Sequence, residues 1–304
     1  MNIETSSRGN SDNLPLAVGV IVFTVFALSL GDALVKMNSG TFVLWQIFVL
    51  RSVIAIPCLL VAMACVSGIS NFLPTAYGWI IIRSFLLVAM WISYYVSLPF
   101  LPLSVAAAAY YTLPIFITLF SAAFVGDRVG RLGWLAVLLG FVGVVLILRP
   151  DAGAVNLYAV LPLLSAMLYA VAMILTRTKC RSDHPLLLSL GLNVAFVFVG
   201  GLATLVLMFF ADDTRSSFLL SNWASMGTSE WISIGLMAVA LLIGSVGAAI
   251  AYQKAPSAKI GVFDFCYVGF ALIWGFLFFA EQPDAVSVIG MALIVVAGVL
   301  SLRQ

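Results

Sequence analysis

Four ionisable side chains lie inside otherwise apolar stretches of this sequence, and they are the first candidates for chemistry. Asp32, Arg51, Arg83 and Asp264 each interrupt a run of hydrophobic residues. A charge inside a bilayer is costly, so such residues usually face a cavity or a bundle interior and mark binding sites. The alternative for the two arginines is a structural ion pair with Asp264. Asp32 stands one helical turn before Lys36, and this spacing favours an exposed i,i+4 ion pair.

Aromatic and amide side chains accompany these charges in the same apolar runs. Tyrosine is the most informative of them, because its hydroxyl needs a hydrogen-bond partner away from water. The alternative is that the aromatic stripes are lipid-facing or packing surfaces. The candidate substrate-binding residues are Arg51, Arg83, Trp91, Tyr94, Tyr110, Tyr111, Asn193, Asp264, Tyr267 and Trp274.

The composition indicates an integral membrane protein. Hydrophobic residues make up 63% of the 304 residues, charged residues make up 9%, and the mean hydropathy is +1.19. A soluble domain is about 25% charged. The formal net charge of +2 gives no reason to expect a nucleic-acid partner. The four cysteines form no CxxC pair and His184 is the single histidine, so we expect no metal site and no cofactor.

The apolar runs predict an all-α protein with ten transmembrane helices. A spanning helix needs about 20 mainly apolar residues. Turn-forming residues separate the runs. The predicted spans are 15–35, 41–66, 74–97, 102–124, 132–148, 157–176, 185–210, 231–252, 258–280 and 285–302. Residues 1–14 are polar and lack the apolar core of a signal peptide, so we expect a disordered cytoplasmic segment.

An internal repeat divides the predicted spans into two five-helix halves, 15–149 and 150–304. Residues 98–149 align with 252–303 without a gap, at a shift of 154 positions. The alignment places Pro102 on Pro256 and Asp127 on Glu281. Because each half has an odd number of spans, the second half enters the membrane inverted. Inverted repeats place a binding site near the bilayer midplane, between the halves.

The repeat also matches candidate residues with one another. Asp264 falls on Tyr110, and Arg51 in the second span aligns with Asn193 in the seventh. Polar groups at matched positions of inverted halves lie on either side of the pseudo-twofold axis, where one substrate can touch both. Three roles are open to Asp264: it could bind a cationic group, pair with Arg51 or Arg83, or carry a coupling proton, because removal from water favours the neutral carboxyl.

The basic residues predict the orientation of the chain in the membrane. With ten spans both termini lie on one side. If that side is the cytoplasm, the loops place most lysines and arginines there, the exceptions being Lys36, Arg149 and Arg215. This asymmetry follows the positive-inside rule. We therefore expect a multi-pass protein of the inner (plasma) membrane whose N- and C-termini are both cytoplasmic.

Several of these features together resemble one known family. They are the two five-span halves, Arg51 in the second span, Pro114 within the fourth, an acidic residue ending each fourth span, and the Gly-rich run 133–150. The sequence resembles the EamA-type drug/metabolite transporters over nearly its whole length. It departs from that pattern at Val268, which stands where the first half has Pro114. This difference predicts a straighter ninth helix than fourth.

The resemblance implies a secondary active transporter of a small organic metabolite that works by alternating access. The aromatic residues favour a planar or aromatic substrate, such as a riboflavin-like vitamin or an aromatic amino acid. Residues 126–131 do not form a phosphate-binding loop, so a gradient rather than ATP would drive transport. Beyond the substrate, a coupling proton and the lipid bilayer we expect no further partner. Both a monomer and a homodimer are consistent with the sequence.

Two other classes of function are open at this level. One is a membrane scaffold or receptor that transports nothing, which the mid-depth charges disfavour. The other is an intramembrane enzyme, which requires a paired nucleophile and base or metal ligands at depth. His184 offers no such pair, because it lies beside Asp183 in a predicted cytoplasmic loop where a solvated face explains both.

Asp127 and Glu281 are candidates for gating. Each ends the fourth span of its half, and the inverted topology places them at opposite faces of the membrane. Bonds from their carboxylates to helix-end amides would favour one access state each. The alternative is simple capping of the helix that follows.

Overall fold

The computed structural model describes residues 13–67, 73–120, 123, 130–148, 157–210, 218–255, 260, 263–264 and 266–301. All regular structure in these ranges is helical. The helices are α1 Leu14–Met37, α2 Leu44–Ser67, α3 Tyr77–Ser97, α4 Leu103–Tyr110, α5 Leu113–Phe120, α6 Arg131–Leu148, α7 Leu161–Thr178, α8 Pro185–Phe210, α9 Thr228–Lys254, α10 Cys266–Phe279 and α11 Ala285–Ser301. A short 3-10 helix, Leu157–Val160, leads into α7.

Six helical segments are long and apolar enough to cross a bilayer: α1, α2, α3, α8, α9, and α7 with the 3-10 turn before it. Their mean hydropathies lie between 1.7 and 2.4. Large apolar side chains such as Phe209 point outward, which suits contact with lipid rather than water. The chain is therefore a multi-span membrane protein. Residues 1–12 of the predicted N-terminal segment lie outside the described ranges, and α1 begins at Leu14.

Two of the predicted spans are not continuous helices. The span predicted at 102–124 divides into α4 and α5 at Tyr111 and Thr112. In the span predicted at 258–280, Asp264 lies in a turn between Phe263 and the start of α10. The repeat places that turn opposite the end of α4. The absence of proline at Val268 does not make the ninth span continuous, because regular helix is interrupted at Asp264; that the ninth span is straighter than the fourth stays a prediction.

The helices pack mainly in pairs that join the two halves of the chain. The most extensive contacts are α6 with α11, α2 with α8, α1 with α9, and α3 with α7. Further contacts join α1 to α10, α3 to α8, α2 to α9, and both α4 and α5 to α7. Small residues permit the close approach. A Cβ atom on Gly31 would lie 2.9 Å from Cβ of Ala240, and one on Gly143 would lie 2.7 Å from the carbonyl oxygen of Gly290.

Candidate functional site

Asp32 faces the interior of the bundle, which corrects the predicted exposed pair with Lys36. Asp32 is 2% exposed. Its Oδ1 accepts a hydrogen bond of 3.0 Å from the Tyr95 hydroxyl, and its Oδ2 accepts one from the Tyr267 hydroxyl. Lys36 instead reaches Glu281, at 2.6 Å. The i,i+4 spacing predicted the wrong partner for Asp32, because tyrosine hydroxyls from α3 and α10 donate hydrogen bonds to its carboxylate.

A chain of hydrogen bonds runs through Asp32 and connects four helices. Nη1 of Arg51 on α2 donates to the Tyr95 hydroxyl at 3.0 Å, and Tyr95 on α3 donates to Asp32 on α1. Tyr267 on α10 donates to the other oxygen of Asp32, and its own oxygen lies 3.0 Å from the Tyr94 hydroxyl. Three predicted site residues, Arg51, Tyr94 and Tyr267, are thus brought together by Asp32 and Tyr95, which were not in the predicted substrate-binding set.

Asp264 is the second buried carboxylate, and it has a tyrosine rather than an arginine as its partner. It is 2% exposed, and its Oδ2 accepts a hydrogen bond from Tyr252 on α9. Arg51 and Arg83 both bond elsewhere, so the structural ion pair with Asp264 is not observed. The position of Asp264 in a turn places its side chain where the helix is interrupted.

The predicted tyrosines of α4 pack around this point. Tyr111 stacks on Tyr267, with ring centroids 5.1 Å apart, and Tyr110 lies edge-on to Tyr111 at 5.2 Å. Tyr110 also contacts Tyr94, at 5.3 Å, and Tyr169 on α7, at 5.8 Å. Offset and edge-on contacts are the favourable arrangements of aromatic rings. Helix α4 therefore ends where the rings of several tyrosines pack against one another.

These side chains enclose the cavity that we call the central cavity. Its volume is about 30 Å³. Both carboxylates line it, together with most of the aromatic candidates. Its lining comprises Val25, Leu28, Asp32, Met90, Trp91, Tyr94, Tyr110, Tyr111, Tyr169, Asp264 and Tyr267.

Two further cavities adjoin the central one. The Arg51 cavity, of about 10 Å³, is lined by Asp32, Arg51 and Tyr95 among others. The Arg83 cavity, of about 30 Å³, is lined by Arg83, Tyr169 and Ser245 among others. Leu28 and Trp91 line all three cavities. Each space holds only one or two waters, whereas sites for small organic ligands are about 300–1,000 Å³. The conformation is contracted around the site.

Arg51 lies within a cage of aromatic rings. Its guanidinium carbon is 4.9 Å from the ring centroid of Phe48, 5.6 Å from Trp91, 5.4 Å from Tyr95 and 4.5 Å from Phe196. Contacts with ring faces stabilise a cation that is removed from water. Its Nε and Nη2 atoms are buried and have no hydrogen-bond partner in the part of the chain that the structure describes.

Arg83 has a different environment, in which protein groups occupy its donors. It is 1% exposed, its Nε donates to Oγ1 of Thr176 at 2.6 Å, and its Nη1 donates to the carbonyl oxygen of Leu188 at 3.4 Å. It thereby links α3 to α7 and α8. Arg83 therefore both lines the Arg83 cavity and stabilises the packing of α3 against α7 and α8.

Asn193 and Trp274 line none of the three cavities. Asn193 is buried on α8, where its amide donates to the carbonyl oxygen of Ser189 at 2.9 Å. Trp274 donates from its indole nitrogen to Oγ of Ser29 at 3.0 Å and stacks on Phe278. In this conformation the bond of Trp274 links α10 to α1, whereas the bond of Asn193 stays within α8.

Glu281 joins three chain segments at one end of the bundle. Its Oε1 accepts from Nζ of Lys36 at 2.6 Å and from the backbone N–H of Leu103 at 2.9 Å, and its Oε2 accepts from Ser104 N–H at 3.4 Å. Lys36 also donates to the carbonyl oxygen of Leu101 at 2.7 Å. We call this cluster the Glu281 lock. Asp127, the other predicted gating residue, lies outside the described residues.

The loop around His184 also differs from its predicted character. Asp183 is buried, at 3% exposure, and its Oδ1 accepts hydrogen bonds from both the backbone N–H and the hydroxyl of Thr75. The solvated face expected for this pair is therefore wrong for Asp183, which ties the segment before α3 to the start of α8. His184 itself is exposed.

Sequence reasoning missed Tyr95, Tyr169 and Tyr252 as members of the site. Asp32 was a candidate because it lies inside the first predicted span, but the i,i+4 spacing to Lys36 favoured an exposed ion pair instead. Tyr95 directly follows Tyr94 and lies one turn after Trp91. The two remaining tyrosines stand alone in apolar runs, and no local pattern separates them from packing residues.

Comparison with known proteins identifies the chain. Residues 15–149 match the EamA-like transporter family. The chain is 28% identical to the pseudopaline exporter CntI of Pseudomonas aeruginosa strain UCBPP-PA14, over 94% of this chain and 95% of that one. It is 30% identical to a riboflavin transporter of Rhizobium johnstonii, over 76% of this chain and 72% of that one.

A solved crystal structure has the same fold, with a TM-score of 0.70 and 18% identity over 94% of this chain and 99% of that one. The apolar helices and the buried polar cavity are consistent with a membrane transporter, and the relatives are named as an exporter and a transporter. The chain belongs to the EamA-like transporter family, and it is a membrane transporter rather than an enzyme.

Proposed function

We propose that this protein is a secondary active transporter that moves a small, planar organic metabolite by alternating access. The observation that carries the proposal is the central cavity, where two buried carboxylates and five tyrosines meet at the interrupted helices. Tyrosine supplies both a flat face for stacking and a hydroxyl for hydrogen bonds. Such a lining suits a ring system that carries polar groups.

The proposed architecture is ten transmembrane helices in two inverted halves, 15–149 and 150–304. The helix pairing supports it, because exchanging each helix for its counterpart in the other half maps the most extensive pairs onto one another, with α8 against α9 as the main exception. Thus α1 with α9 corresponds to α3 with α7, and α2 with α9 corresponds to α3 with α8. The family match also ends at residue 149, where the first half ends.

We place the protein in the inner membrane with both termini in the cytoplasm, and the distribution of basic residues supports this orientation. The Glu281 lock would then close the outer side. Leu28 and Trp91 line all three cavities, so their movement would join the small spaces into one larger site.

For the substrate, a riboflavin-like vitamin and an aromatic amino acid both fit a tyrosine-lined space. The Rhizobium johnstonii relative is named a riboflavin transporter, and a second relative with that name, from Vibrio cholerae, is 26% identical. The two relatives named as pseudopaline exporters widen the range to other small metabolites and to export.

We assign proton coupling to Asp264. Its carboxylate is buried without a basic partner among the described residues, and loss of hydration favours protonation of such a group. Tyr252 holds one of its oxygens, which leaves a proton on the carboxyl free to exchange with the central cavity when that cavity is hydrated.

The test is uptake and efflux by proteoliposomes of the full chain, with a panel of aromatic metabolites and an imposed pH gradient. We expect Asp264→Asn to abolish or uncouple transport while expression and melting temperature stay close to wild type. Normal transport by this variant, with unchanged pH dependence, would remove Asp264 from the mechanism. Absence of transport for every compound, together with no ligand-dependent change in access, would favour a scaffold or receptor instead.

A further inference from the structure

Arg51, which lines the cavity next to the central cavity, has two hydrogen-bond donors on one edge of its guanidinium group that are available for binding. Its Nη1 is taken by the Tyr95 hydroxyl, and its Nε and Nη2 have no partner among the described residues. Buried donors are almost always hydrogen-bonded, and leaving one unpaired costs about 1–3 kcal/mol. Two such donors on one side chain, at 2% exposure, therefore point to a partner outside the protein chain.

The geometry and the positive charge of this edge indicate which chemical group it would bind. The N–H bonds of Nε and Nη2 point in the same direction, and their spacing matches the two oxygens of a carboxylate. The positive charge has no direct counter-ion either, because the ion pair found among the described residues joins Lys36 to Glu281. Asp32 reaches Arg51 only through the Tyr95 hydroxyl.

We infer that the transported substrate carries a carboxylate, and that Arg51 binds this group through its Nε–Nη2 edge. The inference rests on the proposed function and narrows it. Arg51 lines a cavity that shares Leu28, Asp32 and Trp91 with the central cavity. If the side chains of Leu28 and Trp91 move aside, a ligand whose ring lies among the tyrosines can therefore place an acidic group against Arg51.

The placement of the acidic residues extends the argument to the rest of the ligand. Asp32 and Asp264 line the same central cavity, where they can accept hydrogen bonds from an ammonium group. A carboxylate at one end, an ammonium group in the middle and an aromatic ring among the tyrosines describe an aromatic amino acid. A neutral flavin offers acceptor atoms to the Arg51 edge but no negative charge, so of the two proposed substrate types the amino acid fits better.

The experiment compares acids with their neutral amides on purified full-length protein. The probes are L-tryptophan, L-tyrosine and L-phenylalanine, their C-terminal amides, and riboflavin, each tested for thermal stabilisation and for competition in proteoliposome transport. We expect the acids to bind at least about 10-fold more tightly than the amides, since the amide lacks the negative charge and one of the two acceptor oxygens. Equal binding of acid and amide, preference for riboflavin, or no binding by any acid would overturn the inference.

Arg51→Lys is the informative variant, because it keeps the charge and removes the paired edge. We expect it to reduce the ratio of acid to amide affinity toward 1, while Arg83→Lys leaves that ratio unchanged whatever its effect on overall activity. An unchanged ratio in Arg51→Lys would contradict the assignment. The comparison of acid with amide on the wild-type protein needs no variant, so it stands even if Arg51→Lys does not fold.

Different results would contradict the substrate carboxylate and the transporter function. Transport of riboflavin without preference for acids would leave the transporter function intact and remove the carboxylate. Failure of every probe to be transported, together with no change in access when a ligand binds, would instead argue against the proposed function itself.

Discussion

Removing the charge of Glu281 should open one face of the transporter. In the described structure this carboxylate holds Lys36 at the end of α1 and two backbone N–H groups at the start of α4. Glu281→Gln keeps the shape and the acceptor oxygen but loses the negative charge. We therefore expect the ends of α1, α4 and α10 to separate more often than in the wild-type protein.

The size of the effect follows from the exposure of the pair. The side chains of Lys36 and Glu281 are 15% and 13% exposed, so the ion pair is neither fully buried nor a free surface pair. An exposed pair contributes about 0.2–1 kcal/mol, and an anion at a helix N-terminus contributes about 0.3–1 kcal/mol more. Loss of both contributions, about 0.5–2 kcal/mol, shifts the ratio of closed to open states by about 2- to 30-fold.

Cysteine labelling measures this shift directly. The reporter is Ser104→Cys, which is buried beside Glu281, in a background where the four native cysteines are replaced by alanine. A membrane-impermeant maleimide added from the proposed outer side should react about 2- to 30-fold faster when Glu281→Gln is present. Lys36→Met should give a similar rise, and the double variant should add little, because both changes remove one interaction.

Glu230→Gln is the matched control. Glu230 also accepts a backbone N–H bond, from Gly227 at 2.9 Å, but this bond caps its own helix α9. We expect no change in the labelling of Ser104→Cys from this variant. An unchanged rate with Glu281→Gln, or an equal rise with Glu230→Gln, would refute the idea that the Glu281 lock holds the face closed and would leave simple helix capping.

Three further predictions concern the same framework. Ala280 has a φ of 50°, a left-handed conformation that costs a non-glycine residue about 1–2 kcal/mol, so Ala280→Gly should raise the melting temperature. Gly143→Ala should lower it, because the new Cβ meets the carbonyl oxygen of Gly290, whereas Gly201→Ala, with open space around its Cβ, should not. Arg177→Met should change cysteine access in the direction opposite to Lys36→Met, as measured by labelling from the two sides.

Much of the framework was predictable from the sequence because membrane spans are set by length and hydropathy. Arg51, Arg83 and Asp264 were all expected at depth, and all are buried. The shared location of Asp264 and Tyr110 at the central cavity also followed from the repeat alignment. The first of these inferences uses only the cost of burying charge within one helix, and the second uses the similarity between two segments of the sequence.

The partners of the buried charges could not be predicted in the same way. Lys36 was expected to pair with Asp32, four positions away, but it pairs with Glu281, which is 245 positions away. The i,i+4 rule describes an isolated helix, and here tertiary contacts from α3 and α10 offered Asp32 better partners. Tyr252 bonding to Asp264 depends on how α9 lies beside the turn, which no local pattern specifies.

The repeat gives a reason to expect two opposing locks. In the proposed repeat, Lys36 and Arg177 are matched ends of the first helix in each half. Lys36 donates to the carbonyl oxygen of Leu101, just before α4, and Arg177 donates to that of Gln253, in the last turn of α9. If the acid matched to Glu281 acts at Arg177, each face of the protein has its own basic–acidic closure. Alternating access requires that these closures not be released together, since that would open a continuous path. The energy of each lock then sets the balance between the two access states, and for that reason neutralising one lock should favour opening at its own face and closure at the other.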